Sequence, residues 1–251
     1  MSGHSKWASI KHKKAAIDAK RGQLFTKLIK ELTAAARSGG GNQETNIRLR
    51  AAVQKAKESN MPSDNIEKAV MRGTGELPGV TYEEATYEGY GPSGIAILLE
   101  AVTDNKNRTT AELRNIMSKR GGNLAASGSV SFLFAKKGYI TIEKSVIDEE
   151  KLMNIVLEAG AEDLKSEGDV HEVTTQPQDL EVVRDALAKA KVPFQSAEVT
   201  MVPSTTIRVT DKVTAQTILG LMDALEEHED VQHVYSNFDI PDALMESGED
   251  K

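Results

Sequence analysis

The heptapeptide Gly73-Thr74-Gly75-Glu76-Leu77-Pro78-Gly79 constrains this chain more than any other feature, because three glycines and a proline in seven residues break helix and strand alike. The apolar pattern changes period across it. Charge changes sign there too: residues 1–75 hold 15 Lys and Arg against 6 Asp and Glu, or +9, and residues 76–251 hold 16 against 32, or −16. The formal charge of −7 for the 251-residue chain therefore averages two opposed parts. A segment this basic attracts polyanions, while the acidic remainder is repelled by the same surface and orients the molecule on it.

The basic segment reads as helical. Leu24, Phe25, Leu28, Ile29, Leu32, Ala35 and Ala36 recur at helical spacing and predict an amphipathic helix over about 23–37. Gly39-Gly40-Gly41 stops it. A second helix carries Ile47, Ala51, Ala52 and Ala56, and a third, capped by Ser63, carries Ile66, Ala69 and Val70.

Beyond the heptapeptide the elements become mixed. Strands are expected at Tyr82–Glu88 and Ile95–Val102, then a helix opening on the capping-box residues Thr109 to Glu112, then a strand at Ser129–Phe134. From Tyr139 to Val202 the order is βαββαβ, the split order of a ferredoxin-like sandwich, and Thr206 to Asn237 adds strand, helix, strand. The expected fold is multidomain, α and α+β. Its parts are an N-terminal arm and three-helix domain (1–75), a discontinuous α+β domain (80–135 plus 204–240), a second α+β domain inserted into the first (136–203), and an acidic tail (241–251). Both α+β domains are ferredoxin-like on this reading.

Several chemistries are excluded or unsupported. With no cysteine there are no disulfides, thiolate metal sites or Cys nucleophiles. Gly89-Tyr90-Gly91-Pro92-Ser93-Gly94 fits the GxGxxG string, but Ile95 to Leu99 continues as a strand where a dinucleotide site needs a helix. The five histidines form no HExxH set, and Ser127-Gly128-Ser129 is not a nucleophile elbow. Glu83 and Glu84 are adjacent on a strand and point to opposite faces. Gly121-Gly122 reads as a helix stop, and Asp104 to Arg108 as a solvated connection or a contact loop. The chain is expected not to be an enzyme and to take no cofactor, metal or small-molecule substrate. No apolar run or signal-like N-terminus points to a membrane, so a cytoplasmic location is expected.

The N-terminal arm is the strongest site signal. Lys6, Lys11, Lys13, Lys14, Lys20 and Arg21 surround the single Trp7, with His12 among them and only Asp18 opposed. Such cation density neutralises phosphates and releases counterions. The Trp7 ring suits either stacking on a base or packing over the helices. Lys27, Arg48, Arg50 and Lys55 extend the expected nucleic-acid-binding set onto the helices.

Gly3-His4-Ser5-Lys6-Trp7, Lys20-Arg21-Gly22, Arg48-Leu49-Arg50-Ala51-Ala52, Asn60-Met61-Pro62, Tyr87-Glu88-Gly89-Tyr90-Gly91-Pro92, Asn107-Arg108-Thr109 and Gly128-Ser129-Val130 together resemble the YebC-type family. The likeness runs along nearly the whole chain. It departs at Ser9, where the family often has Asn, and at Ala125, where Gly often follows Gly-Gly-Asn-Leu. The family is known as probable transcriptional regulators in bacteria, with mitochondrial relatives that activate translation of cytochrome c oxidase. The resemblance implies a non-enzymatic, three-domain cytoplasmic regulator. One expectation is a transcriptional regulator holding DNA through the basic helical domain. The alternative is a ribosome-associated translation factor or translational activator on ribosomal RNA.

Overall fold

The computed structural model describes residues 19–241 and Leu244, and within them the fold is mixed α/β, with seven α-helices and three sheets. In chain order the elements are α1 (Ala19–Gly39), α2 (Ile47–Glu58), α3 (Ser63–Thr74), β1 (Glu83–Tyr90), β2 (Ala96–Thr103), α4 (Lys106–Lys119), β3 (Asn123–Leu124), β4 (Phe134–Glu143) and α5 (Glu149–Glu158). Then follow β5 (Asp163–Glu167), β6 (Val170–Thr175), α6 (Leu180–Lys189), β7 (Ser196–Pro203), β8 (Ile207–Arg208), α7 (Lys212–Glu226), β9 (Val231–Ser236) and β10 (Phe238–Asp239). Among the described residues, Phe132–Thr206 is one compact unit, and residues 19–131 with those from Ile207 onward form the other. No described helix is long and apolar enough to cross a membrane.

In the first unit four antiparallel strands run in the order β5-β6-β4-β7. Ile140 of β4 pairs with Val173 of β6 on one side and Ala197 of β7 on the other. Ile140, Ile142 and Val173 pack against Leu152 and Val156 of α5 and Val183 and Leu187 of α6. Period-2 strands and period-3.6 helices meet there on their apolar faces.

In the other unit α1, α2 and α3 close on Leu28, Leu32, Leu49, Val53, Ile66 and Ala69. Asn46 joins two of these helices: its amide donates to the Ala35 and Gly40 carbonyls at 2.8 Å each, and its oxygen accepts the Leu49 N–H at 3.0 Å. It thereby satisfies orphan groups at the end of one helix and the start of the next. The same unit holds a sheet in the order β3-β1-β2-β9. Ile97 and Leu99 of β2 pack with Leu113 and Met117 of α4 and with Ile218, Leu221 and Leu225 of α7. Leu98 and Val102, on the opposite face of β2, are buried as well. Burial of one such side chain contributes about 1.5–3 kcal/mol. Helix α1 also lies against β2 and β9.

Four local expectations are corrected. On α2, Ile47 and Ala51 are exposed, and the 3.6-residue period puts Leu49 and Val53 on the buried face with Ala52 and Ala56. The helix expected from Thr109 starts at Lys106, because Asn105 accepts the Arg108 N–H at 3.1 Å and caps it one turn earlier. Ser63 is the first residue of α3 rather than its cap; Pro62 precedes the helix and no side chain caps it. Ser129–Phe134 is not a strand. The buried carboxylate of Glu88 accepts the N–H groups of Gly128, Val130 and Ser131 at 2.7, 2.6 and 2.9 Å, removing them from any ladder. The chain then makes a short 3-10 turn at Ser131–Leu133, and Phe134 begins β4.

Candidate nucleic-acid interface

Helix α2 presents the cations most directly. Its apolar positions Leu49, Ala52, Val53 and Ala56 face the helical core, so the 3.6-residue period turns Arg50, Gln54, Lys55 and Lys57 to the exterior. Lys55 and Lys57 make no ion pair with any described residue, and Arg50 makes only a 3.5 Å hydrogen bond to the Gln43 carbonyl. Glu58 is the acidic residue of this helix, and it accepts from the Gln54 amide.

Other cations of the basic segment turn inward, toward the acidic part. The Lys27 ammonium donates to the Glu226 carbonyl near the C-terminus of α7. Lys30 Nζ lies 2.5 Å from Asp230 Oδ1 and 3.3 Å from the Glu229 carbonyl. Arg37 donates to the Tyr82 carbonyl at 3.0 Å. Arg48 grips both oxygens of Glu31 at 2.8 and 3.0 Å and reaches Glu84 on β1 at 2.6 Å. The hydrogen bond to Glu31, aided by Glu84, raises the pKa of Arg48 above its ordinary value against the opposing effect of burial.

Asp230 is the centre of this docking. It is fully buried, and besides Lys30 its carboxylate accepts from Arg108 at 2.9 Å and Thr109 at 2.7 Å. Burial alone pushes its pKa up, but the hydrogen bonds from Lys30, Thr109 and Arg108 outweigh that and hold it down at about 2. Glu112, His228 and Asp230 offer one ligand atom each within 4.8 Å of one another, a metal-like spacing. Those atoms are already engaged: His228 donates through Nε2 to Glu112 at 2.9 Å and accepts the Asp230 N–H through Nδ1 at 3.1 Å. The group fastens the end of α7 to α4.

The sequence-predicted set is thus divided by the fold. Lys6, Trp7, Lys11, His12, Lys13 and Lys14 lie outside the described residues. Lys20 and Arg21 belong to the first turn of α1, and their side chains also lie outside what the structure describes. Arg50 and Lys55 face outward on α2, whereas Lys27 and Arg48 are held by intramolecular partners. Lys57 and Arg72, which helical spacing also leaves off the apolar faces but which the expected binding set omits, are exposed as well. The helical period of α2 itself carried the signal for Lys57, which is seven residues beyond Arg50.

The other motifs resolve into local structure. Gly91 to Ile95 is the turn of the β1–β2 hairpin, with Gly91 N–H bonded to the Ile95 carbonyl at 2.8 Å and Gly94 at φ +76°. No helix follows this turn, so no N–H cluster is available for a pyrophosphate. His171 donates to the Ile147 carbonyl and accepts from Ser166, and the His233 ring stacks on Tyr235.

Two family models match the chain: the TACO1/YebC protein N-terminal domain over residues 5–76, and the TACO1/YebC second and third domain over residues 82–238. A protein of Natranaerobius thermophilus named "Probable transcriptional regulatory protein" is 58% identical over 251 residues, covering 99% of this chain and 100% of the relative. One of the same name from Dictyoglomus turgidum is 58% identical over 248 residues, covering 98% and 99%. The crystal structure of a conserved hypothetical protein from Aquifex aeolicus superposes with a TM-score of 0.77 at 48% identity, covering 90% of this chain and 93% of that one. The matched models together span both sides of the Gly73–Gly79 heptapeptide, and the chain belongs to the TACO1/YebC family.

Proposed function

We propose that this chain is a nucleic-acid-binding regulator of gene expression, a transcriptional regulator that holds DNA mainly by its backbone through the helical domain and N-terminal arm. The observation that carries the reading is the outward face of α2, where Arg50, Lys55 and Lys57 stand free of ion pairs to any described residue within a segment of net charge +9. The names of the relatives support a regulator. In domain terms the reading assigns residues 1–75 to a three-helix nucleic-acid-binding domain. It assigns 80–135 with 204–240, and 136–203, to two ferredoxin-like domains; the strand order β5-β6-β4-β7 supports that arrangement for the inserted one. The reading includes no catalytic step and no cofactor, and it places the protein in the cytoplasm.

A second reading has a specific observation in its favour. The same chain that concentrates +9 at one end carries −16 over the rest, which fits a surface where RNA adjoins basic proteins. On that reading the partner is ribosomal RNA, and the protein is a ribosome-associated translation factor.

Salt-titrated binding to duplex DNA and to ribosomes separates the two. About five phosphate contacts on duplex DNA predict a log–log salt slope of about −4.5. Sequence-preferring duplex binding with such a slope supports the transcriptional reading; ribosome binding that survives salt, with no preference among duplexes, replaces it by the second. A flat slope in both assays defeats electrostatic binding of either kind.

A further inference from the structure

The Gly73–Gly79 heptapeptide, which reads in sequence as a plain linker, folds back on the helices that precede it. Leu77 N–H bonds to the Met71 carbonyl at 3.0 Å, and Gly75 ends α3 in the left-handed region at φ +85°. Together with α1 and α3 it walls an open cavity of about 380 Å³, lined among others by Thr33, Arg37, Arg72, Gly79 and Tyr82. No Asp or Glu lines it.

Two arginines line this space. Arg37 uses one N–H to hold the Tyr82 carbonyl, leaving other donors of its planar fork. Arg72 has no side-chain hydrogen bond or ion pair to any described residue. Its stem is laid across Gly79, where an added Cβ would come within 3.0 Å of its Cδ and 3.1 Å of its Cγ. Each arginine sits in the last turn of its helix, where the dipole favours a cation. Glu83, whose carboxylate feels the Arg37 charge, is bound by Lys106 at 2.7 Å. The result is a concave, acid-free site with one preoriented arginine and a second whose fork is without a partner.

We infer that this cavity is a phosphate-binding subsite, taking one phosphodiester of a nucleic-acid backbone between Arg37 and Arg72. Arginine forks match phosphate oxygens in pairs, and the glycine at position 79 is what lets Arg72 lie against the wall. The inference rests on the nucleic-acid reading above and adds a placed contact to the diffuse attraction of α2 and the arm.

The test uses the full chain with a fluorescent single-stranded and a duplex oligonucleotide, titrated with salt, and with ATP as a free-phosphate competitor. Arg72→Gln is expected to weaken oligonucleotide binding roughly tenfold and to reduce the salt slope by about 1. Gly79→Val keeps the charge but displaces the Arg72 stem, and is expected to weaken binding as well. Lys119→Gln removes an equal charge from an exposed residue in the last turn of α4, which does not line the cavity, and is expected to leave affinity within about twofold. ATP at millimolar concentration should compete with wild type and much less with Arg72→Gln. Equal weakening by Arg72→Gln and Lys119→Gln, or an unaffected Gly79→Val, overturns the subsite in favour of diffuse charge. Wild-type protein that binds no oligonucleotide overturns the nucleic-acid reading itself, whereas wild type and all variants binding alike overturns the subsite alone.

Discussion

Lys30 Nζ and Asp230 Oδ1 lie 2.5 Å apart across 200 residues of sequence, with side-chain exposures of 6% and 0%. This pair fastens α1 to the end of α7, and the two partners are not equivalent. Replacing Asp230 by Asn leaves Lys30 buried beside a neutral amide and also weakens the Arg108 contact. The expected loss is about 3–5 kcal/mol. Lys30→Met keeps the stem volume and leaves Asp230 with Arg108 and Thr109, so the expected loss is about 1–2 kcal/mol. Urea denaturation of both variants checks the order, and equal losses would contradict it.

Acid should loosen the same fastening. Asp230 has a pKa of about 2 in the fold against an ordinary 3.8, and Glu88 is also held below its ordinary 4.5 by the Val130, Gly128 and Ser131 N–H groups despite the opposing effect of burial. Both pKa values are depressed, so the stability they contribute is present above the ordinary pKa and is lost as pH falls through the folded one. For Asp230 the loss amounts to about 2 kcal/mol. Thermal unfolding should therefore show a falling midpoint between pH 4.5 and 2, and the Asp230→Asn variant should show a shallower fall than wild type.

Glu88 can be tested by a change of one atom. Glu88→Gln keeps the shape but removes the charge and turns one acceptor into a donor facing N–H groups. The expected destabilisation is about 1–3 kcal/mol. Hydrogen exchange should accelerate first at Gly128, Val130 and Ser131, whose N–H groups the carboxylate holds. Unchanged protection at these three amides would count against the role assigned to Glu88.

Gly73 lets α3 approach α1 closely. A Cβ there would meet the Thr33 carbonyl oxygen at 2.4 Å and the Ala36 Cβ at 2.7 Å, both on a rigid helix. Gly73→Ala is expected to lower stability by about 1–3 kcal/mol even though alanine favours helices. Gly22→Ala, with open space around it, should be neutral or mildly stabilising. Melting temperatures of the two variants decide the matter.

The inward and outward cations should separate by phenotype. Arg50→Glu with Lys55→Glu and Lys57→Glu is expected to reduce nucleic-acid affinity more than tenfold with little change in melting temperature. Lys27→Ala or Arg48→Ala should instead lower the melting temperature by a few degrees, with a smaller effect on binding. The opposite assignment of losses would return Lys27 and Arg48 to the binding face.

Much of the secondary structure was legible because it is local. The spacing of Leu28, Leu32 and Ala35 predicts the buried face of α1, whereas on α2 only Ala52 and Ala56 of the expected face are buried, Leu49 and Val53 taking the places of the exposed Ile47 and Ala51. The β1–β2 hairpin follows from two β-rich runs around Gly91-Pro92-Ser93-Gly94. Thr109 fits a capping box, yet Asn105 caps α4 and the Thr109 hydroxyl is taken by Asp230 from across the fold. The strand at Ser129–Phe134 failed for a related reason, since a single carboxylate 40 or more positions earlier collects its N–H groups.

The binding set shows the same division. By itself the sequence determined a basic segment joined to an acidic body, a change of period at Gly73–Gly79, and the family motifs, since charge and periodicity are additive along a chain. Which cations remain available to a partner was decided only by the tertiary structure. Lys30 and Lys55 look alike in sequence, but α1 carries one to a buried Asp230 and α2 turns the other to solvent. The physical reason is that a lysine's role depends on the nearest unpaired carboxylate in space, and that distance is set by packing between residues far apart in the chain.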